Sequence, residues 1–518
     1  MLFRSSDDGR VHVTQDGGAS WRSVEDRMPG LPKGTWCAHL EAGKHDAATA
    51  FAVFDGHRTT DWTPYVFVTR DYGETWASLA TPAIDGYCLV LEQDPVRAEL
   101  LWLGTEFGLY VTIDGGANWH RWSHGVPACS AMAITTHPRD HDLIVATHGR
   151  SIFVLDDITP LRTLSAEVLA QKLHVFPVQA AVAFETAQTP GSRFPGQGEF
   201  RGATRQRGAF VHLIVNAPEL KHPDAKIEKA RAAAKAAEKP PADKPADAPA
   251  ASDAPKPKPK EEPKDKVTIE VRDAAGVLVR TFREDVKLGL NRIVWRLERD
   301  GGPRPARELQ EEPELPTGGR EVLPGEYTLT VRFQGEAREQ RVVVLADPRV
   351  EIAATDRAAK DTMRAQRDEI LADLHRSTQR LARARRDVDV VEKRLALEVK
   401  PKGDAGDPQQ PLRDAVQAVK KALDACDEKL WGPKPVQGIV RDDDGLLAKV
   451  QTLLRVTRTP DAPNPTEVES MAKAAAKAPE VAATVDEFVS GPLATFRAAV
   501  EASGLSLLPG VEPVPQRR

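Results

Sequence analysis

The chain reads as a multidomain protein, mainly β and then α, with a partial β-propeller of about three to four blades, a β-sandwich and a C-terminal antiparallel helical bundle. Three observations carry that expectation. An eight-residue turn pattern recurs three times before residue 120; residues 267–345 carry strand-like alternation; and from Asp356 onward the apolar residues fall at helical spacing.

The turns are Thr14-Gln15-Asp16-Gly17-Gly18-Ala19-Ser20-Trp21, Thr69-Arg70-Asp71-Tyr72-Gly73-Glu74-Thr75-Trp76 and Thr112-Ile113-Asp114-Gly115-Gly116-Ala117-Asn118-Trp119. From Asp16 to Asp71 is 55 residues and from Asp71 to Asp114 is 43. A strand-rich repeat of this length is the mark of propeller blades. A short carboxylate bonds amides across a turn, and Gly18, Gly73 and Gly116 supply the positive φ that closes it. Trp21, Trp76 and Trp119 then bury apolar surface against a neighbouring sheet. Asp16, Asp71 and Asp114 are therefore assigned as turn fasteners rather than catalysts. The octads resemble the Asp-box, or BNR, repeat of sialidases, sortilin and several glycoside hydrolases. That resemblance implies a box on the hairpin between the third and fourth strands of each blade, away from the ligand face.

Residues 1–160 are assigned to the partial propeller. One blade is expected as strands Thr35–Glu41, Ala50–Phe54, Tyr65–Thr69 and Thr75–Leu79, and the next as Tyr87–Glu92, Leu100–Gly104, Leu109–Thr112 and Asn118–Trp122. Met1–Val24 supplies three strands of an earlier blade, and Ser130–Asp157 three strands of a later one. Asp156 follows His148 by eight residues, as Asp114 follows Glu106, so a decayed box is expected there, with Val154 for Thr and Ile158 for Gly. So few blades leave strand edges bare. A partner chain, or a missing N-terminal segment, is expected to complete the ring.

Residues 161–207 are expected as a connector with a weak strand at Leu173–Phe176. Residues 208–346 form the sandwich, beginning with a strand at Gly208–Val215. VTIEVRDAAGVLVRTF turns at Asp273–Gly276, LNRIVWRL follows, and EYTLTVRFQGEAREQRVVVL turns at Gln334-Gly335. The module looks like a small immunoglobulin-like or fibronectin-like sandwich, with Trp295 as core aromatic. Its insertion, residues 221–266, is rich in Ala, Lys, Pro, Glu and Asp, cannot bury enough surface to offset chain entropy, and is expected to be disordered with transient helix over Asp224–Lys239. Residues 347–507 are the bundle and 508–518 a tail. Met363, Ile370, Leu374, Leu381, Val388, Val391 and Leu395 make one stripe. Leu412, Val416, Val419, Leu423, Cys426 and Leu430 make a coiled-coil-like seam, and Gly403–Pro411 the turn between. A third helix is expected over Leu446–Val456. A fourth starts at Asn464-Pro465 and is bent by Pro479 and Pro492.

A net charge of −5 gives no electrostatic case for nucleic acid. No run is long enough to span a membrane, and MLFRSSDDGR lacks the apolar core of a signal peptide. Cys37, Cys88, Cys129 and Cys426 have no metal or disulfide spacing, so neither cofactor nor metal is expected.

Chemistry is expected at the loops between second and third strands, opposite the octads. These carry Asp8, then Asp55, His57, Arg58 and Asp61, then Glu106, then His148 and Arg150. The loop after Asp55 is the longest, and enlarged polar loops often carry binding residues. Three readings stay open: a structural rim whose polar groups satisfy one another, a face binding polypeptide or glycan, and glycoside hydrolysis by a pair from Asp55, Asp61 and Glu106. The binding face, with Asp8, His57, Arg58, Glu106, His148 and Arg150, is the preferred function; hydrolysis is the alternative.

The order of blades, THGRSIFVLDDITPLRTL (Thr147–Leu164), sandwich strands and helices resembles bacterial secreted proteins with sortilin-like propeller repeats, often labelled glycosyl hydrolase for the BNR repeat. The resemblance implies an extracellular or periplasmic protein. Most of such a propeller and its export signal are not in these residues, so a fragment of a larger exported protein is expected.

Overall fold

The computed structural model describes residues 2–185, 204–237, 263–398, 407–432, 445–456 and 459–506. The chain is β first and α last. Four antiparallel meanders open it. The first sheet holds β1 (Leu2–Ser5), β2 (Val11–Thr14) and β3 (Arg22–Ser23). The second holds β4 (Trp36–Ala42), β5 (Ala50–Asp55), β6 (Tyr65–Thr69) and β7 (Ala77–Ser78). The third holds β8 (Cys88–Gln93), β9 (Leu101–Thr105), β10 (Gly108–Thr112) and β11 (His120–Trp122). The fourth holds β12 (Ala131–Thr136), β13 (Leu143–Thr147) and β14 (Ile152–Leu155).

Alternate residues of each strand face opposite neighbours, so successive sheets stack through separate apolar layers. Val11, Val13, Ala52 and Phe67 fill the first layer. Phe51, Val66, Leu101 and Tyr110 fill the second, and Trp102, Leu109, Leu143 and Val145 the third.

The three octads repeat one hydrogen-bond pattern. Thr14 Oγ1 donates to Asp16 Oδ1 at 2.7 Å and accepts from Gly18 N at 2.9 Å. Asp16 Oδ1 also accepts Ser20 N at 2.9 Å. Thr69, Asp71, Gly73 and Thr75 do the same, as do Thr112, Asp114, Gly116 and Asn118. Positive φ falls on Gly17 and Gly18, on Tyr72 and Gly73, and on Gly115 and Gly116. The hydroxyl and amide of Ser20 hold the Asp16 carboxyl well below the usual range, and those of Thr75 bring Asp71 to about 2. Partial burial pushes Asp114 up, but donors from Asn118 and Thr112 outweigh it. Each carboxylate is bonded within its own turn.

The fourth sheet departs from the expected spacing. Leu143 pairs with Leu155 where Leu101 pairs with Thr112, so Leu155 stands in the Thr position and Asp157, not Asp156, in that of Asp114. The β13–β14 loop is one residue longer than its β9–β10 counterpart, which moves the register. Asp157 accepts Thr159 N at 3.1 Å and starts α1 (Thr159–Thr163), followed by α2 (Ala166–Ala170). Arg162 ties α1 to the third sheet through a buried bidentate pair with Asp94.

Within the expected connector, Leu173–Val175 and Ala181–Ala183 prove to be strands of the next unit. β15 (Leu173–Val175) pairs with β17 (Ala209–Val215), and β16 (Ala181–Ala183) runs parallel to β24 (Glu336–Ala346). Strands of three residues are too short to show alternation and take their ladder from longer neighbours. The segment read as a disordered insertion starts with α3 (Ala225–Ala237), whose first amides are capped by Asp224. The rest of it up to residue 262 lies outside the described residues. Order continues with β18 (Lys266–Asp273), β19 (Leu278–Asp285), β20 (Gly289–Trp295), β21 (Glu298–Asp300), β22 (Gly318–Glu321) and β23 (Gly325–Phe333). Sheet β15-β17-β20 and sheet β16-β24-β23-β18-β19 share one core that buries Trp295, Leu213, Ile269 and Val331.

This unit meets the fourth sheet at a polar junction. Buried His212 accepts from Arg292 Nε at 2.9 Å, and its Nδ1 lies 3.5 Å from Asp157. The Arg205 and Arg292 guanidinium groups each lie 5.0 Å from the Phe210 ring. Arg205 reaches Asp142, and Arg292 the Asp156 carbonyl.

Among the described residues five α-helices follow: α4 (Ala354–Ala396), α5 (Gln410–Trp431), α6 (Leu446–Leu453), α7 (Pro465–Phe488) and α8 (Ala494–Ser503). The α4 stripe and α5 seam share one core with α6, α7 and α8. Asn464 and Glu467 form a reciprocal capping box at α7, and Glu467 also meets buried Lys360 at 2.6 Å. Pro479 is carried inside α7, and Pro492 lies in a π-turn before α8. Residues 399–406 of the α4–α5 turn and the tail 508–518 lie outside the described residues.

Candidate ligand-binding rim

In an antiparallel meander the second-to-third-strand loop lies at the end where the first strand begins. The β5–β6 loop therefore meets the starts of β4 and β8, opposite the octads. Trp36 pairs in register with Asp55, and Cys88 with Thr105.

Asp55 ends β5 and is buried. Its Oδ1 accepts His57 N at 2.9 Å, and both oxygens lie 2.7 Å from His57 Nδ1. A single 3-10 turn over His57–Thr59 follows, closed by Thr60 in the left-handed region. The His57 ring stacks on Tyr87 at 4.6 Å between centroids and 21° between planes. Tyr87 in turn donates to Glu106 Oε2 at 2.7 Å. Asp55, His57, Tyr87 and Glu106 thus form one line from the second sheet to the third. Burial, and then the Glu106 carboxylate, push the Tyr87 phenol up, so it remains a protonated donor.

Aromatic surface surrounds that line. Trp62 lies 5.4 Å from Tyr87 and is 54 % exposed. The Arg58 guanidinium sits 4.6 Å over Trp36. Phe107 is exposed beside Gly86, where a Cβ would stand 2.7 Å from its ring. Asp61 accepts Thr63 N at 3.0 Å and Tyr65 OH at 2.7 Å. Burial raises its carboxyl, and these donors outweigh burial to leave it low.

Of the residues singled out by sequence, Asp55, His57 and Glu106 come together, with Arg58 and Asp61 on the same loop. Asp8 is held by Ser6 and Arg10 in the first sheet's loop, and His148 and Arg150 are exposed on the fourth sheet's loop; none of these three touches the line. Trp36, Trp62, Tyr65 and Tyr87 were missed. The available signal was positional, since Trp36 and Tyr87 each directly precede a cysteine at the beginning of a first strand. Cys37 and Cys88 occupy matching bulges there, but the third such position is Ala131, so Cys129 lies outside the series. Burial raises the Cys37 thiol to about 11 and also raises Cys88, leaving both as poor nucleophiles. Among the described residues no cluster of His, Cys, Asp and Glu is placed to hold a metal ion.

No protein-family model and no curated protein matches the chain. Solved structures matched over part of it include an ancestral GH74 enzyme, at 18 % identity and a TM-score of 0.23 over 28 % of this chain and 20 % of that one. A Niastella koreensis GH74 enzyme matches at 14 % identity and a TM-score of 0.25, over 30 % of this chain and 26 % of that one. A GH74 xyloglucanase from Xanthomonas campestris matches at 15 % identity and 0.25, over 34 % and 30 %. The chain thus spans less than a third of the length of each, and likeness at this level carries no argument about activity.

Proposed function

We propose that this chain is a non-catalytic binding protein whose rim at Trp62, His57, Tyr87 and Glu106 engages a polypeptide or glycan ligand. The carrying observation is how the rim carboxylates are used. Both Asp55 oxygens are committed to His57, Glu106 accepts from Tyr87, and Asp61 is bonded to Thr63 and Tyr65. Glycoside hydrolysis needs one carboxyl to deliver a proton and a second to attack or activate water. Groups tied to internal donors suit a scaffold that presents Trp62, a large face able to stack on a sugar ring or an apolar side chain.

The same proposal takes the four sheets as blades of an Asp-box propeller of the sortilin-like kind and the two-sheet unit as immunoglobulin-like. The common octad hydrogen bonds support the former, and Trp295 in the shared core the latter. Export to the periplasm or beyond the cell belongs to this reading. Among the described residues no helix is long and apolar enough to cross a membrane.

The test pairs binding with turnover. Immobilised glycan and peptide arrays are probed with the chain and with Trp62→Ala, and soluble polysaccharides are assayed for reducing-end release. Binding that falls at least tenfold in Trp62→Ala, with no release, supports the proposal. Release that Asp55→Asn, Asp61→Asn or Glu106→Gln abolishes replaces it with hydrolysis.

A further inference from the structure

A polar cleft of about 250 Å³ lies between the two-sheet unit and the helices, apart from the rim. One wall is made by the facing ends of β21 and β22, whose backbones approach closely. A Cβ on Gly301 would stand 2.7 Å from the Gly318 carbonyl oxygen, and one on Gly319 would stand 2.7 Å from that of Asp300. Only glycine fits this crossing, which brings Arg320 of β22 and Arg304 of the loop after β21 to the cleft. The other wall is one face of α4, where Arg364, Arg367, Asp368 and Leu371 recur at helical spacing. Guanidinium groups from two parts of the fold thus converge on one space.

The four arginines face three lining carboxylates, Glu298, Glu321 and Asp368. Two of these are already engaged: Glu321 by both terminal nitrogens of Arg207, and Asp368 by Arg367 Nη2 at 2.7 Å. Arg320 Nε lies 3.2 Å from Asp361 Oδ1, and Arg364 donates to the Thr459 carbonyl at 3.1 Å. Burial holds the Arg364 guanidinium below its ordinary range; Glu321 opposes that effect, and Arg367 adds to it. The carboxylates nearby therefore do not make up for the water that Arg364 has lost.

We propose that this cleft binds a small oxyanion, a carboxylate, phosphate or sulfate group, between Arg364 and Arg367 of α4 and Arg304 and Arg320 of the two-sheet unit. Guanidinium groups present paired donors that match such oxygens, and a partly desolvated one gains most from a counter-charge. The bound anion spans the two-sheet unit and the bundle, so it stabilises their contact by mass action. Glu298, on the wall opposite α4, weakens the affinity as a like charge.

Titration calorimetry of the full chain with sodium phosphate, sodium sulfate and sodium glucuronate, at an ionic strength fixed with sodium chloride, tests this. At least one of them is expected to bind saturably, and about tenfold or more weakly in Arg364→Gln and in Arg367→Gln. Glu298→Gln, which removes the like charge, is expected to bind it severalfold more tightly. Binding of phosphate or sulfate marks a tetrahedral anion as the ligand group, and binding of glucuronate alone marks a carboxylate. Absence of saturable binding by all three overturns the proposal, as does binding that both arginine variants retain. Affinity that is unchanged or weaker in Glu298→Gln also overturns it, and that result stands even where the arginine variants fail to fold.

Discussion

Lowering the pH is expected to loosen the junction between the fourth sheet and β17. Buried His212 is held below its ordinary pKa by desolvation, and Arg292 adds to that while Asp157 opposes it. Its Nε2 accepts from Arg292 Nε, so the neutral ring carries its proton on Nδ1, toward Asp157. Arg205, Asp142 and Asp156 complete the charged surroundings. A histidine with a lowered folded-state pKa binds fewer protons than it does in the open chain. Its stability contribution is complete above the unfolded value and is lost as pH falls below it. The loss is at most about 1.4 kcal/mol per pH unit below about 6.5, or roughly 30-fold in opening equilibrium at pH 5. Hydrogen exchange of the β17 amides at pH 7 and pH 5, corrected for intrinsic rates, reads that change. His212→Gln keeps an acceptor for Arg292 but cannot titrate, so its pH dependence should be flatter. Equal pH dependence in the two chains would falsify the reasoning.

Other perturbations test the packing directly. Trp119→Ala removes a buried ring between the second and third sheets and should cost about 3–5 kcal/mol, seen as a lower urea midpoint. A loss below about 1 kcal/mol would show that the ring is not a principal packing element. Lys360→Met deprives buried Glu467 of its cation, at a cost of about 3–5 kcal/mol in thermal or urea unfolding. Adding Glu467→Gln, which keeps an acceptor for Asn464 N, should recover most of it; no recovery would mean that packing around the lysine stem, rather than charge, sets the loss.

What could be read from the residues was mostly local. An octad closes on itself within eight residues, so its Thr, Asp and Gly are visible as a pattern and their bonds need no distant partner. Strand Tyr65–Thr69 agrees residue for residue with expectation, because it is a short unbroken apolar run that ends at the octad. The α4 and α5 seams were legible for the same reason, with helical period sustained over many turns. The misses are non-local. β15 and β16 acquire their identity from β17 and β24, and the Asp156 assignment failed because a single extra loop residue shifts the pairing. At the rim, Asp55, His57 and Glu106 stood out as chemical residue types. The residue that joins them, Tyr87, looked like one more strand aromatic, since its stacking on His57 is a contact between sheets.

The same strands carry carboxylates at both ends, and the two ends place different demands on them. At the octads, each aspartate is saturated by donors two and four residues away, and its position follows from the turn alone. At the rim, Glu106 depends on a phenol from another strand, and the ring stacked on that phenol, His57, belongs to the neighbouring sheet. Changing Asp71 therefore disturbs one hairpin, whereas changing Tyr87 removes a contact between two sheets beside Trp62. A ligand held across Trp62 and Glu106 would gain from that cross-sheet stiffness, because the groups it meets are already ordered before it arrives. On the proposed function, binding rather than proton transfer is the task that such pre-ordered carboxylates serve.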